Sequence, residues 1–311
     1  MTNSDSPIKT AGLTKHYGTF PALEDLDLEV HRGEVFGFLG PNGAGKSTAI
    51  RLMMGEIAPT AGTATILGAQ PKDVEHRKRL GYLPPDLALW PAMTGRETLD
   101  FFAKLRGGIK RPGSTGAGVD PDYLASLAER LDANLDKRVG ELSTGNRQKI
   151  GLISAFMHKP DLLILDEPNA GLDPLVQHEF WAMMREAADE GRTVFLSSHT
   201  LSEVERVADR VGIIRQGHLI AIEEVAALRR KRMRRVELDI EGTLDQQALA
   251  AVTNVAGVRD INATAHRVEL NFDGDMSALL AAVMAATHLR DIHTHEADLE
   301  DIFLTYYRGE E

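Results

Sequence analysis

The chain has 311 residues, 43% of them hydrophobic and 26% charged, with a formal net charge of -11 and no cysteine. This length favours two domains, the lack of cysteine excludes disulfides and thiolate metal sites, and the acidic balance argues against a general nucleic-acid surface. The longest apolar run, Ala278 to Ala286, is about half as long as the roughly 18 residues that cross a bilayer. We therefore expect no membrane span.

Short apolar strands alternate with amphipathic helices between residues 8 and about 224. This alternation predicts an α/β fold with a mainly parallel sheet covered by helices. The clearest strands are Leu162–Leu165 and Thr193–Ser197, because each is a continuous apolar or β-branched run that ends in polar residues. Ligands of such sheets bind at the carboxyl ends of the strands.

Helical patterns replace the strand signal between about residues 87 and 158. Thr94 and Glu97 have the spacing of a capping box, which predicts the start of a helix. The apolar stripe predicted to pack this helix consists of Leu99, Phe102 and Leu105. The sequence therefore predicts a helical insertion in the sheet.

The basic run LRRKRMRR at Leu228–Arg235 precedes a second series of elements. We interpret the run as a solvated linker, although such a run also suits contact with nucleic acid or anionic lipid. The order of elements after it, βαββαβ with a tail, predicts a small α+β, ferredoxin-like domain. The expected division is an ATPase-type domain at 8–228, a linker at 229–235 and a C-terminal domain at 236–311.

A glycine-rich segment, GPNGAGKST, joins an apolar strand to a helix. It fits the phosphate-binding pattern G-x-x-x-x-G-K-[ST] in the strand-to-helix context that this pattern requires. Its glycines let backbone N–H groups surround phosphate oxygens, while Lys46 reaches the β- and γ-phosphates and Ser47 holds Mg²⁺. The predicted ATP-binding residues here are Gly40, Pro41, Asn42, Gly43, Ala44, Gly45, Lys46, Ser47 and Thr48.

Two acids, Asp166 and Glu167, end the apolar strand in LLILDEP. Burying an unpaired carboxylate costs several kcal/mol, so a compensating cation is expected. We predict that Asp166 orients Mg²⁺ and that Glu167 polarises the water attacking the γ-phosphate. The alternative is a salt-bridged structural pair.

His199 follows the next strand and emerges at the same edge of the sheet, where an imidazole suits the γ-phosphate. A lone histidine in such a place is more often structural.

The order of these motifs resembles the ABC-type ATPase domain over about residues 8–225. The sequence carries GPNGAGKST, then LSTGN at Leu142–Asn146, LLILDEP, AGLDP at Ala170–Pro174 and His199. LSTGN is similar to the family's signature, which binds the γ-phosphate of an ATP held by another subunit. The resemblance assigns this role to Ser143, Thr144 and Gly145, with the following helix adding its dipole.

The resemblance implies that one chain cannot complete an ATP site. Two chains would enclose two ATP molecules, and Asp173 would cross the interface and couple the sites. Tyr17, in LTKHYG, matches the aromatic residue that stacks on adenine in this family, although an ordinary exposed tyrosine also fits. The expected assembly is a homodimer bound to separate membrane permease subunits, lying peripherally on the cytoplasmic face of the membrane, with Mg²⁺ as cofactor.

One departure from the family pattern concerns Pro85, which stands where the family usually has Gln. Proline has no side-chain amide to bind Mg²⁺ or water. Our hypothesis is that the adjacent Asp86, or a water, replaces the contact. Signature departures are milder, with Thr144 and Asn146 replacing the usual residues.

The resemblance predicts the ATP-hydrolysing motor of a transporter. The C-terminal segment Glu296–Tyr307 resembles the end of ATPase subunits from two-component drug and antibiotic exporters, which favours export. The alternatives are a soluble ABC-type ATPase acting on ribosomes or nucleic acid, an importer ATPase, and a non-hydrolysing regulatory binder.

Overall fold

The computed structural model describes residues 6–74, 76–110, 118–230, 234–242 and 246–296. The chain divides into two compact units, Met1–Val225 and Ala226–Glu311. Across the described ranges, no helix has both the length and the apolarity needed to span a bilayer.

A six-stranded mixed sheet forms the centre of the first unit, in the order β5-β6-β7-β3-β8-β9. All its neighbouring strands are parallel except β8 and β9. The strands are β3 Val35–Leu39, β5 Leu80–Leu83, β6 Leu162–Asp166, β7 Thr193–Ser198, β8 Arg210–Arg215 and β9 His218–Glu224. Every residue of β3, β6 and β7 is buried, as expected for strands covered on both faces. The two strands predicted most clearly are confirmed, each one residue longer.

A second, antiparallel sheet in this unit has the order β2-β1-β4. Its strands are β1 Ile8–Tyr17, β2 Phe20–Val30 and β4 Ala61–Ile66. A two-residue turn joins β1 to β2, with Gly18 at φ 61°, and Tyr17 pairs directly with Phe20. The turn therefore places two aromatic rings side by side at one end of this sheet.

Helices of the first unit follow strands or fill the predicted insertion. They are α1 Lys46–Met53, α2 Gly95–Leu105, α3 Pro121–Arg130, α4 Thr144–Phe156, α5 Pro174–Asp189 and α6 Leu201–Val207, and α7 Val225–Arg230 begins at the last residue of the unit. Because α2, α3 and α4 lie between β5 and β6, the predicted helical insertion is confirmed.

The start of α2 was predicted correctly, and its packing face only in part. Thr94 accepts from the Glu97 amide while the Glu97 side chain accepts from the Thr94 amide, so the capping box is present. Leu99 is buried, but Leu105 is 68% exposed because the helix ends there. The prediction was wrong for Leu105; the buried face consists of Gly95, Thr98, Leu99 and Ala103.

The second unit contains an antiparallel sheet in the order β11-β12-β10-β13. Its elements are β10 Arg234–Glu241, α8 Gln246–Thr253, β11 Val258–Ala263, β12 Arg267–Phe272, α9 Met276–Ala286 and β13 His288–Glu296. The first strand begins at Arg234, inside the segment 229–235 that the sequence suggested as a linker, because Arg234 and Arg235 pair with β12 and β13. The predicted tail after residue 296 lies outside the described residues.

Acid sensitivity of this fold should arise in part from His158, just after α4. Its Nε2 lies 3.1 Å from the Leu80 carbonyl oxygen, and burial, aided by Arg106, lowers the His158 pKa to about 3. The unfolded chain thus binds a proton that the folded chain does not, and stability falls as the pH drops below about 6.5. When the pH is lowered from about 7 to about 5, the free energy of unfolding should fall by about 1–2 kcal/mol less in His158→Gln than in the wild type. Urea titrations at the two pH values measure this difference.

The matched control for this prediction is exposed His178→Gln on α5. It should keep the pH dependence of the wild type. Identical pH dependence of wild type and His158→Gln would contradict the assignment.

Candidate functional site

The phosphate-binding loop connects β3 to α1 and depends on glycines at defined points. Gly43 and Gly45 have φ of 80° and 108°, in the region that disfavours side chains. A Cβ at Gly45 would lie 2.7 Å from the Ala22 carbonyl oxygen, and one at Gly40 would lie 2.4 Å from that of Ile214. Neither position has room for a side chain. The loop leads directly into the N-terminus of α1, whose free amides suit an anion.

The ammonium of Lys46 is folded back against its own loop. Its Nζ donates to the carbonyl oxygens of Gly40 at 2.5 Å and Pro41 at 3.3 Å, and it lies 3.3 Å from Oε1 of Glu167. The side chain is only 6% exposed. Lys46 therefore joins the loop to the acid at the end of β6.

Glu167 has a strained backbone and lies beside Lys46 and His199. Its φ is 51°, a left-handed conformation that costs on the order of 1 kcal/mol for a residue with a side chain. Its Oε2 lies 2.8 Å from His199 Nδ1, and its backbone amide donates to the Ser197 hydroxyl at 3.0 Å. The structure thus brings three predicted residues, Lys46, Glu167 and His199, into one contact network.

Asp166 is 1% exposed and hydrogen-bonded through one of its oxygens. Oδ1 accepts a hydrogen bond from the Ser197 hydroxyl, whereas Oδ2 is buried and has no hydrogen-bond partner within the described part of the chain. Burial raises the pKa of Asp166, and the Ser197 hydrogen bond together with the nearby Ser47 hydroxyl partly offsets this rise. A buried carboxylate oxygen without a donor, next to the Ser47 hydroxyl, fits a hard divalent cation.

A cavity of about 310 Å³ opens over the phosphate-binding loop. Its lining is Tyr17, Phe20, Ala22, Pro41, Asn42, Gly43, Ala44, Gly45, Lys46, Ser47, Thr48 and Glu167. Tyr17 and Phe20 are 46% and 63% exposed. Flat aromatic surface beside a phosphate-binding loop suits a purine base. Gly40, which was also predicted to bind ATP, is not among these lining residues.

Ser143 begins α4, and its hydroxyl accepts from the Asn146 amide at 3.3 Å. Ser143 and Thr144 are exposed, and Gly145 is partly exposed. None of the three is among the residues that line the cavity, within the described chain. The start of α4 is thus a second, outward-facing N-terminus with free amides.

Asp173 begins α5 and uses its two oxygens for different contacts. Oδ1 accepts from the Val176 amide at 3.0 Å, which caps the helix, and Oδ2 lies 4.0 Å from the Lys149 Nζ. Asp173 itself is exposed. Pro85 and Asp86 are also exposed and follow β5, which lies beside β6 in the sheet.

Sequence reasoning missed two residues of this site, Phe20 and Ser197. Phe20 faces the cavity because the turn pairs it with Tyr17, and Ser197 contacts both acids because β7 pairs it with Asp166. The available signals were the two-residue spacing of a hairpin and a hydroxyl near the end of an apolar strand.

Comparisons with known proteins agree with this geometry. Residues 23–170 match the family model described as ABC transporter. The linearmycin resistance ATP-binding protein LnrL of Bacillus subtilis (strain 168) is 31% identical over 309 residues, covering 96% of this chain and 97% of that protein. The Nod factor export ATP-binding protein I of Burkholderia orbicola (strain AU 1054) is 33% identical over 312 residues, covering 97% of each.

A solved structure described as the ATP binding subunit of an ABC transporter superimposes with a TM-score of 0.63 at 31% identity. The superposition covers 73% of this chain and 93% of the chain in that structure. Sequence similarity over almost the whole length, together with the loop, acids and sheet order described above, identifies the family. The chain belongs to the ABC transporter family, as an ATP-binding subunit that hydrolyses ATP.

Proposed function

We propose that this chain powers export through separate membrane subunits, by binding and hydrolysing ATP as a dimer. The observation that carries the proposal is the contact network of Lys46, Glu167 and His199 beside the phosphate-binding loop. Two relatives matched over nearly their whole length are named for resistance or export, which supports export over import. Their cargoes differ, so the drug or antibiotic class of the cargo here stays a prediction.

Hydrolysis in this proposal begins with a change of partner at Lys46. The Lys46 ammonium lies 3.3 Å from Glu167 Oε1. The β- and γ-phosphates of ATP are stronger partners for this cation, so their arrival frees the Glu167 carboxylate. Glu167 then takes the proton of the attacking water, while His199, 2.8 Å from Glu167, is placed to hydrogen-bond the γ-phosphate.

Magnesium is the proposed cofactor, held by the Ser47 hydroxyl and, directly or through water, by Asp166. The buried Asp166 oxygen, which has no donor in the described part of the chain, supports this assignment. When bound, the ion neutralises charge on the β- and γ-phosphates. The remaining loop residues bind phosphate through backbone amides, and Tyr17 stacks on the base.

Dimerisation is proposed because the start of α4 faces away from the chain's own cavity. The exposed Ser143, Thr144 and Gly145 have free N-terminal amides that suit a γ-phosphate held by a second copy. In the same arrangement Asp173, exposed at the start of α5, crosses the interface. A homodimer with two identical sites is the simplest assembly.

Membrane permease subunits are the proposed partners, with this chain peripheral on the cytoplasmic face. The segment 85–105 is proposed as the contact, supported by the exposed apolar side chains of Trp90, Phe101 and Leu105.

We further propose that 8–228 is the ATPase domain and that 236–311 is ferredoxin-like, which the strand order β11-β12-β10-β13 supports. The family relationship gives no support to a ribosome- or nucleic-acid-directed ATPase.

Glu167→Gln should separate binding from hydrolysis. The amide cannot accept the proton of the attacking water, so we expect phosphate release to fall by about 100-fold or more. Since the P-loop stays intact, the variant should accumulate as an ATP-bound dimer with Mg²⁺, measured by light scattering. Exposed Glu129→Gln is the control and should behave as wild type. A monomeric Glu167→Gln that hydrolyses ATP normally would refute both the base and the assembly.

Asp166→Asn should raise the stability of the nucleotide-free protein while abolishing Mg²⁺-dependent turnover. Burial raises the pKa of Asp166, so the charged form is unfavourable in the folded state above the unfolded pKa, near 3.8. Removing the charge should therefore raise the stability of the folded state at neutral pH. Thermal unfolding without nucleotide checks this gain, which should disappear with Mg²⁺ and ATP. A lower midpoint for nucleotide-free Asp166→Asn would contradict the account.

Asp86→Ala tests the proposed replacement for the amide missing at Pro85. If Asp86 supplies that contact through water, turnover should fall roughly tenfold and require more Mg²⁺. Measuring phosphate release over a Mg²⁺ titration decides the matter. Unchanged turnover with unchanged Mg²⁺ dependence would eliminate Asp86 from this role.

A further inference from the structure

Three contacts join the start of α4 to the segment 167–173, which begins at Glu167 and ends at Asp173. The first is a close approach of backbones. A Cβ at Gly145 would lie 2.4 Å from the Gly171 carbonyl oxygen, and Gly171 has a φ of 75°. No side chain separates the two segments at this point, so a shift of one displaces the other.

The second contact is a buried hydrogen bond from Gln148. This residue lies on α4 about one turn beyond Ser143, and its side chain is buried. Its Nε2 donates to the Pro168 carbonyl oxygen at 3.0 Å. Pro168 directly follows Glu167, and a buried amide bonded to its carbonyl restricts how the catalytic acid can turn.

The third contact is made by Lys149, whose side chain is 7% exposed. Its Nζ donates to the Asp132 carbonyl oxygen at 3.0 Å and lies 3.8 Å from Asp132 Oδ2 and 4.0 Å from Asp173 Oδ2. A buried ammonium is stable only beside such partners. Lys149 therefore lies between Asp132, to which it is hydrogen-bonded, and the carboxylate that also caps α5.

We propose that Gln148 and Lys149 are positioning residues that transmit contact at Ser143 to the chain's own Glu167 and Asp173. The inference rests on the proposed function, in which Ser143 binds ATP held by a second copy. When the start of α4 closes on that ATP, the two side chains draw segment 167–173 with it. Ser143 contacts the ATP held by the second copy, whereas Glu167 acts on the ATP held by its own chain. Closure at one ATP site therefore adjusts the catalytic acid of the other site.

The contacts of Gln148 and Lys149 affect the rate of ATP hydrolysis rather than the binding of nucleotide. Neither residue lines the cavity over the phosphate-binding loop, within the described chain. Losing either contact therefore leaves the affinity of one chain for ATP unchanged and misplaces Glu167 in the closed dimer. This separation between binding and turnover distinguishes positioning from a general loss of structure.

The test compares Lys149→Met and Gln148→Ala with Lys149→Arg in the full-length chain. We expect kcat for ATP hydrolysis to fall roughly tenfold in the first two variants, with KM for ATP within about twofold of wild type. Lys149→Arg keeps the charge and should restore most of the turnover. Ser154→Ala, which removes a bond within α4 to the Gly151 carbonyl, is the matched control and should leave both constants unchanged.

A double-mutant cycle identifies the group through which Lys149 acts. If Lys149 acts through Asp173, adding Asp173→Asn to Lys149→Met should lower kcat by no more than about twofold further. Removing both charges also avoids an unpaired buried cation, so the double variant should fold at least as well as Asp173→Asn alone. If Lys149→Met fails to fold, Gln148→Ala, which removes no charge, still tests the effect of a lost contact on kcat.

Several results would overturn the inference. Wild-type kcat in both Lys149→Met and Gln148→Ala would do so, as would a raised KM with unchanged kcat, or full additivity in the cycle. Failure of the proposed function has a different signature: the wild type would not hydrolyse ATP, or Glu167→Gln would not dimerise.

Discussion

The organising constraint of this protein is the buried carboxylate of Asp166 at the carboxyl end of β6. An ionised group in such a place is costly unless hydrogen bonds or a cation compensate it. Ser197 on the neighbouring strand compensates one oxygen, and the other oxygen, which has no hydrogen-bond partner among the described residues, is the basis for proposing a Mg²⁺ site. Because parallel strands end at the same edge, the phosphate-binding loop and His199 are carried to this charge by the sheet itself.

Around that edge, Glu167 is restrained by several neighbours. Its backbone adopts a left-handed conformation, its carboxylate lies between Lys46 and His199, and its amide is bonded to Ser197. The neighbours that restrain the acid are therefore also the groups proposed to bind phosphate.

In the proposed mechanism, α4 likewise serves two roles. Its first turn faces outward toward a second copy, while its second turn contacts the segment that follows the catalytic acid. Gln148 and Lys149 are buried polar groups whose cost is offset by these contacts and, for Lys149, by Asp132, and such groups fix one arrangement of neighbouring elements more strictly than apolar packing does. A rigid connection of this kind suits a motor in which two sites act together.

The sequence by itself determined the phosphate-binding loop, the acids of β6, the alternation of strands and helices, and the helical insertion. These features depend on local spacing, as in the capping box of Thr94. Local spacing failed at Leu105, where the end of α2 exposes a predicted core residue. Only the tertiary structure decided that Phe20 joins the cavity, that Ser197 holds both acids, and that Lys149 meets Asp173. These pairs are set by turn geometry, strand register and helix packing, which bring together groups whose positions along the chain do not specify their contact.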